Sequence, residues 1–320
     1  MADTRIGSAD LLLVRNSEEI IGIIMEHHKR VPEWGHFPAG PIKKTYYKTL
    51  VRTALPSVGF RAINTGRERK KSTYDSRTVE CKFLDASWDI DVNASKSWEW
   101  GRAAAQEAER RAHILAAMKA VADQIWYGTS ADASGFAGLS SIKDDSDDDQ
   151  VVDAQGNTGS GCYSCWGIRY SDLNDEGAPT SDGVHLCWGN DASLEIGEIE
   201  AVKTYDSTNS GYFYADSQQI DGYVGLQIVS YEAFGRICNL DSSHPLTDVF
   251  IADLLSKFRV GEKPDELWMN RDGLNALRDS RTATNDTGKP APFPADSFGV
   301  PIVVTDSLLS TESPLTAAAT

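Results

Sequence analysis

Cysteine and histidine are scarce in this chain of 320 residues, and long apolar runs are missing. Five cysteines, a modest and odd number, argue against a disulfide framework and leave free thiols as the expectation. The longest apolar runs, IIGIIM and VPIVV, are too short to cross a bilayer. The opening MADTRIGSAD has neither the basic region nor the hydrophobic core of a secretory leader, so synthesis and folding in the cytosol, without a membrane partner, are expected. No G-x-S-x-G elbow, Walker loop or Rossmann fingerprint occurs. The six histidines are scattered. His27 and His28 are neighbours, which a helix sets about 100° apart, a poor arrangement for shared ligation. His113 falls near the packed side of a helical stretch. No catalytic set, cofactor site or metal site assembles from these residues, and no enzymatic activity is expected.

What the chain does have is charge, unevenly placed. The net charge is −16, with 41% apolar residues, a globular composition long enough for two domains or one large core. Between Pro41 and Lys82 eleven Lys or Arg stand against three acids, so this stretch carries +8 and the remainder −24. An acidic body repels nucleic acid, whereas the basic stretch calls for an acidic partner, which further copies of the same chain would supply.

Helical and extended rhythms alternate in large blocks. Residues 16–30 read as a short helix with Asn16 as cap and Glu19 at the reciprocal position, ended by PEWGHFPAGP. Residues 44–93 have no helical period. VGFRAI is extended, NTGRERKKST is polar, basic and turn-forming, and Val79, Cys81 and Phe83 alternate before Leu84, Ala86, Trp88, Ile90 and Val92 take over with the phase shifted by one. The pattern predicts a two-stranded arm with a basic tip. Such a ribbon is marginal alone and needs a surface to rest on. Residues 97–127 predict a long helix, capped by Ser97 and stopped by Gly128, with Ala105, Ala108, Ala112, Leu115, Ala122 and Ile125 on its apolar face and Glu107–Arg111 as an exposed pair. At about 1.5 Å per residue it spans roughly 45 Å. A strand-rich region follows to about 240 (CYSCWGIRY, GVHLCWG, SLEIGEIEAV, GYFYA, YVGLQIVS, AFGRICNL), then a small α/β unit with a helix in HPLTDVFIADLLSKF, a strand ELWMN, a helix RDGLNALRD and a strand VPIVVTD. The tail STESPLTAAAT reads as frayed.

Two local patterns invite a chemical reading. Cys162 and Cys165 stand three apart, but in a strand they project to opposite faces, and no second ligand pair or following helix completes a zinc or thioredoxin-like site. Asp145, Asp147 and Asp149 fit the first calcium-loop positions, yet Gln150 and Gly156 occupy the places that need Gly and Glu. Strand thiols and a solvated acidic loop are the simpler readings. The basic tip, Arg67, Arg69, Lys70 and Lys71, suits phosphates or the carboxylates of another subunit, and a merely solvated loop is the plainest alternative. Aromatic stacking platforms are missing there apart from Tyr74, which favours protein contact. A thiol-based redox or metal enzyme using Cys162/Cys165, and a nucleic-acid-binding protein using the basic arm, are the alternatives to a self-assembling structural protein.

The order of these blocks resembles the major capsid proteins of tailed bacteriophages with the Hong Kong 97-type fold. FRAINTG at the arm tip, WYGTSADASGFAGL after the long helix, DGVHLCWGNDASLEIGEIE and YVGLQIVSYEAFGRICNL in the strand region are similar to a podovirus-like group of that family. The resemblance implies an α+β Hong Kong 97-like capsid fold: an N-terminal arm and short helix (1–43), an extended loop or β-ribbon lying over a neighbouring subunit (44–96), a spine helix with a strand-rich peripheral region (97–240), and a small α/β axial domain (241–320) gathered around five-fold and six-fold centres. It implies an icosahedral shell of hexamers and pentamers enclosing the phage genome, a virion location, assembly in the bacterial host cytoplasm, a separate scaffolding protein, a portal, and packaged DNA held non-specifically against the inner face. Head-to-tail arm contacts close into rings. Arg67, Arg69, Lys70 and Lys71, with Phe60 and Trp88 as apolar members, are the expected intersubunit contacts. Some relatives crosslink a loop Lys to an Asn. Lys70 and Lys71 have the right place, but no acceptor or catalytic acid is identifiable.

Overall fold

A computed structural model describes residues 29–316, except 55, 67–68, 157–158, 160, 175–176, 191–192, 207, 209–210 and 284–288. The helix expected at 16–30 lies almost entirely outside the described residues. The strands are β1 (Ala39–Pro41), β2 (Tyr46–Ala54), β3 (Thr73–Glu80), β4 (Lys82–Asp85), β5 (Trp88–Asp91), β6 (Val151–Asp153), β7 (Tyr163–Ile168), β8 (Val184–Trp188), β9 (Glu195–Asp206), β10 (Gly211–Ile228), β11 (Phe234–Leu240), β12 (Glu266–Met269), β13 (Asp296–Ser297) and β14 (Val300–Val304). The α-helices are α1 (Glu33–His36), α2 (Val92–Lys96), α3 (Arg102–Tyr127), α4 (Asp248–Ser256) and α5 (Arg271–Ala283).

The long helix starts at Arg102, not Ser97. Ser97 closes α2 instead, its hydroxyl donating to the Ala94 carbonyl at 2.8 Å. Gly101, at φ 84°, turns the chain between the two helices, a conformation that glycine adopts without steric cost. The apolar stripe is also shifted. Ile114, Ala117, Met118, Val121, Ala122 and Ile125 are buried, whereas Ala108 and Ala112 of the expected stripe are exposed. Glu107 and Arg111 do pair, at 2.9 Å. Gly128 ends the helix at φ 55°, where a Cβ would lie 2.2 Å from the Gly138 nitrogen.

One sheet is built on β10, an 18-residue strand that joins GYFYA to YVGLQIVS without a break. It pairs with β9, β8, β5 and β4, all antiparallel, and β1 adds to β8 in parallel. β4 and β5 are thus held in this sheet, and only β2 and β3 form the free-standing ribbon. The second sheet runs β13-β14-β12-β7-β11-β6. It crosses the boundary expected at 240/241, because β6, β7 and β11 precede it and β12, β13 and β14 follow it.

Side-chain alternation through the second sheet divides two cores. Trp166, Ile168, Phe234 and Trp268 face the α3 side, and Tyr163, Cys165, Ile237, Leu267 and Met269 face α4 and α5. On the α3 side Phe37, Trp126, Tyr170 and Trp268 pack ring to ring at 5.2–5.9 Å. Glu33, fully buried beneath them, accepts from Trp126 Nε1 at 2.9 Å and Thr305 Oγ1 at 2.5 Å. In the α/β unit Pro245 precedes α4, which begins after Thr247. The tail is not frayed as far as Thr316: Cys162 and Glu312 exchange backbone hydrogen bonds at 2.8 and 3.1 Å, and Leu315 is bonded to Asn239.

Candidate functional site

Among the described residues the β2–β3 ribbon and the loop at its end are largely exposed. β2 and β3 pair from Tyr46↔Glu80 to Ala54↔Thr73, and at the root Cys81 N–H donates to the Thr45 carbonyl at 2.8 Å. Beyond the paired strands residues 56–62, expected to be extended, form no strand, and a turn at 62–65 follows, with Asn64 at φ 67° and Arg61 donating to the Thr65 carbonyl. Val58, Phe60 and Ile63 are 94%, 112% and 92% exposed. Burying each such side chain is worth about 1.5–3 kcal/mol, so three in a row make a strong drive toward a covering surface.

The basic residues lie on the returning limb. Arg69, Lys70 and Lys71 are exposed, and Arg67 lies outside the described residues. Phe60 stands fully in solvent. Trp88 does not join them. It is 5% exposed, packs in the subunit's own core and donates from Nε1 to Gln218 at 3.0 Å. Placing β5 in the main sheet removes Trp88 from the ribbon, so its contact role is withdrawn.

A second exposed apolar surface lacks any counterpart in the sequence reading. Tyr205, Tyr212 and Tyr214 are all more than half exposed on the distal part of the β9–β10 hairpin. Tyr205 and Tyr212 rings lie 5.2 Å apart, and Lys203 Nζ sits 4.1 Å over Tyr212. Trp98 and Trp100 are exposed in the turn between α2 and α3. That turn is tied to the hairpin through Asp216, which accepts from Ser95 Oγ at 3.0 Å and Arg102 Nε at 2.9 Å. The Arg102 guanidinium holds the Asp216 carboxyl below its ordinary range. The alternating tyrosines of KTYD and GYFYA were the available signal.

The thiols do not form a reactive centre. All five cysteines are buried and none is in a disulfide. Burial pushes Cys81, Cys165 and Cys238 up to about 12, far from the thiolate form that nucleophilic or ligand chemistry requires. Cys165 faces the α4/α5 core, while Cys162 is tied by its backbone to Glu312. Among the described residues no group of three or more His, Cys, Asp or Glu could hold a metal ion, and no helix is long and apolar enough to cross a membrane.

A profile of the family described as major capsid protein GP7 matches residues 41–316. The chain belongs to that family. This capsid protein is similar in structure to a chain of bacteriophage epsilon15, with a TM-score of 0.59 and 16% identity over 87% of this chain and 88% of that one. The likeness shows a common fold, the Hong Kong 97 type, in which the long helix and sheets described above recur. A chain of the bacteriophage JBD30 capsid aligns with 11% identity over 88% of this chain and 90% of that one, at a TM-score of 0.49. No curated protein matches the chain. The GP7-family protein is a structural, non-enzymatic virion component that assembles with copies of itself into a shell. The thiol-enzyme and nucleic-acid-binding readings have no support.

Proposed function

We propose that the β2–β3 ribbon is the element by which each capsid subunit grips the next, and that this head-to-tail contact builds the hexamers and pentamers of an icosahedral shell. The exposure of Val58, Phe60 and Ile63 on a ribbon that its own subunit does not cover carries this reading. A contact between unlike surfaces closes into rings when its rotation closes, which suits five- and six-membered capsomers of one chain. Phe60 supplies apolar anchorage, and Arg67, Arg69, Lys70 and Lys71 supply attraction to carboxylates on the acidic remainder of the neighbour.

The sheet on β10, with its projecting β9–β10 hairpin, suits the peripheral region, and the second sheet with α4 and α5 suits the axial one. The axial unit then draws β6, β7 and β11 from before residue 241. The acidic body keeps packaged DNA from adhering to the inner face, so that its contacts there are non-specific. A separate scaffolding protein, a portal and assembly in the bacterial host cytoplasm complete the proposal.

Reversing Arg67, Arg69, Lys70 and Lys71 to Glu tests the ribbon. The expected result is a folded subunit, unchanged by circular dichroism, that no longer forms shells by electron microscopy when co-expressed with neighbouring genes. Shells forming at the normal rate remove the basic tip from the assembly contact.

A further inference from the structure

Where the ribbon joins the main sheet, the chain crosses the face of β10. Cys81 stands at this junction, buried between the end of β3 and the start of β4. The crossing point is Gly225. A Cβ there would fall 2.9 Å from the Glu80 carbonyl oxygen, 3.2 Å from Cys81 Cα and 3.3 Å from Cys81 Sγ, so the missing side chain is what lets the junction pass. Cys187 on β8 is the residue directly opposite Gly225. Opposite residues of an antiparallel pair point to the same face, with Cβ positions about 4.5–5.5 Å apart. Cys187, also buried, therefore projects on the face that carries the junction, while its neighbours Leu186 and Trp188 turn to the α3 core. The Cys81 thiol reaches over β10 to within 3.6 Å of the Cys187 carbonyl, and the Cys187 thiol points to Gln227 Oε1 at 3.7 Å. Two thiols 106 residues apart in sequence thus border one glycine.

We propose that Cys81 and Cys187 form a latent disulfide, closed by a peroxide oxidant, that ties the root of the ribbon to the main sheet. The bond needs Cβ atoms about 3.5–4.5 Å apart. Turning the Cys187 sulfur from Gln227 toward Gly225 brings it to Cys81. Hydrogen peroxide is small enough to enter where a bulky thiol reagent is excluded. One thiolate attacks it, so an S–O bond forms, the O–O bond breaks and hydroxide leaves. The second sulfur then attacks the sulfenic acid, the S–S bond forms and the oxygen leaves as water. In sum two thiols lose two electrons and one peroxide becomes two waters. Burial keeps Cys81 in its thiol form, so the bond closes slowly, over hours. Before oxidation the root is held by the Cys81 N–H bond to the Thr45 carbonyl and by the pairing of β4 with β10. Afterwards it is also fixed covalently to β8. A cross-link that closes so long a loop restricts the unfolded chain strongly. A particle passing from a reducing cytosol to an oxidising medium meets that change once.

The test uses the wild-type protein. It is held overnight in dilute hydrogen peroxide or in dithiothreitol, alkylated in denaturant, digested without reduction and read by mass spectrometry. The peroxide sample is expected to contain a linked peptide pair joining Cys81 to Cys187, lighter by two hydrogens than the separate thiol peptides and split by dithiothreitol. Full alkylation of both cysteines after peroxide overturns the proposal. So does their conversion to sulfinic acid without a link, or a link from Cys81 to a different cysteine. The urea midpoint of the wild type is expected to rise on oxidation, and that of Cys187→Ser to stay unchanged. If Cys187→Ser fails to fold, the peptide map of the wild type still decides. Equal midpoints for linked and reduced wild type overturn the tie as a stabilising device. None of these outcomes bears on the capsid reading, which assembly alone tests.

Discussion

The Arg236 guanidinium meets the Glu312 carboxylate at 2.9 Å inside the protein, with the two side chains 6% and 7% exposed. The same carboxylate accepts from Ser164 Oγ at 2.5 Å and Tyr127 O–H at 2.7 Å, so the C-terminal segment, β7, β11 and the end of α3 share one buried anchor. Arg236 donates further to Ser164 Oγ and the Lys143 carbonyl and lies over the Trp166 ring. A buried charge deprived of its partner is costly. Glu312→Ala is expected to lower stability by about 3–5 kcal/mol in urea unfolding. Glu312→Gln, which keeps an acceptor, is expected to cost less. Equal stability of Glu312→Ala and wild type would show that the anchor contributes nothing net.

Stability is expected to fall between pH 6.5 and 4 through His185. Burial lowers its ring from 6.5 to about 4. Over that window the unfolded chain binds a proton that the folded chain refuses, so stability rises with pH and is lost on acidification. From pH 7 to pH 5 the loss is about 2 kcal/mol. Asp216 and Asp248, held low by Arg102 and Arg281, add their losses only below the ordinary aspartate range. Asp123, raised by burial, acts in the opposite sense. Urea midpoints at pH 7 and 5 for wild type and His185→Gln measure the difference, and an equal pH slope in both would count against the assignment.

Phe60→Asp separates folding from assembly. The side chain touches solvent alone in the subunit, so stability is expected to change by no more than about 0.5 kcal/mol. Assembly yield in light scattering is expected to drop at least tenfold. A destabilised monomer would instead place Phe60 inside its own fold.

The thiols are expected to stay silent in the native state. Ellman's reagent at pH 8 should leave the five cysteines unmodified over minutes and titrate all five in denaturant. Rapid native labelling of Cys162 or Cys165 would reopen the question of reactivity at that pair.

Much of the architecture was legible because local rules governed it. Helix-forming residues from 102 to 127, the Gly128 stop and the helix α5 are written in neighbouring positions, as is a two-stranded arm within 44–93, although its strands are 46–54 and 73–80 and not VGFRAI and the stretch from Val79 onward. The start of the long helix was misread because Ser97 is a good cap in isolation, while the turn at Gly101 follows from docking Ser95 and Arg102 onto Asp216, more than a hundred residues away. The fully buried β7 shows no alternation of polarity, since both of its faces are covered.

Composition and order of residues determined by themselves that this is an acidic chain with one cationic segment and a long central helix, because charge count and hydrophobic period need no partner to act. Tertiary structure decided which apolar residues stay outside. Trp88 and Phe60 read alike in sequence, yet Trp88 is buried in the subunit's core and Phe60 is fully exposed. Burial is a property of what lies across the gap, and sequence neighbours do not contain it.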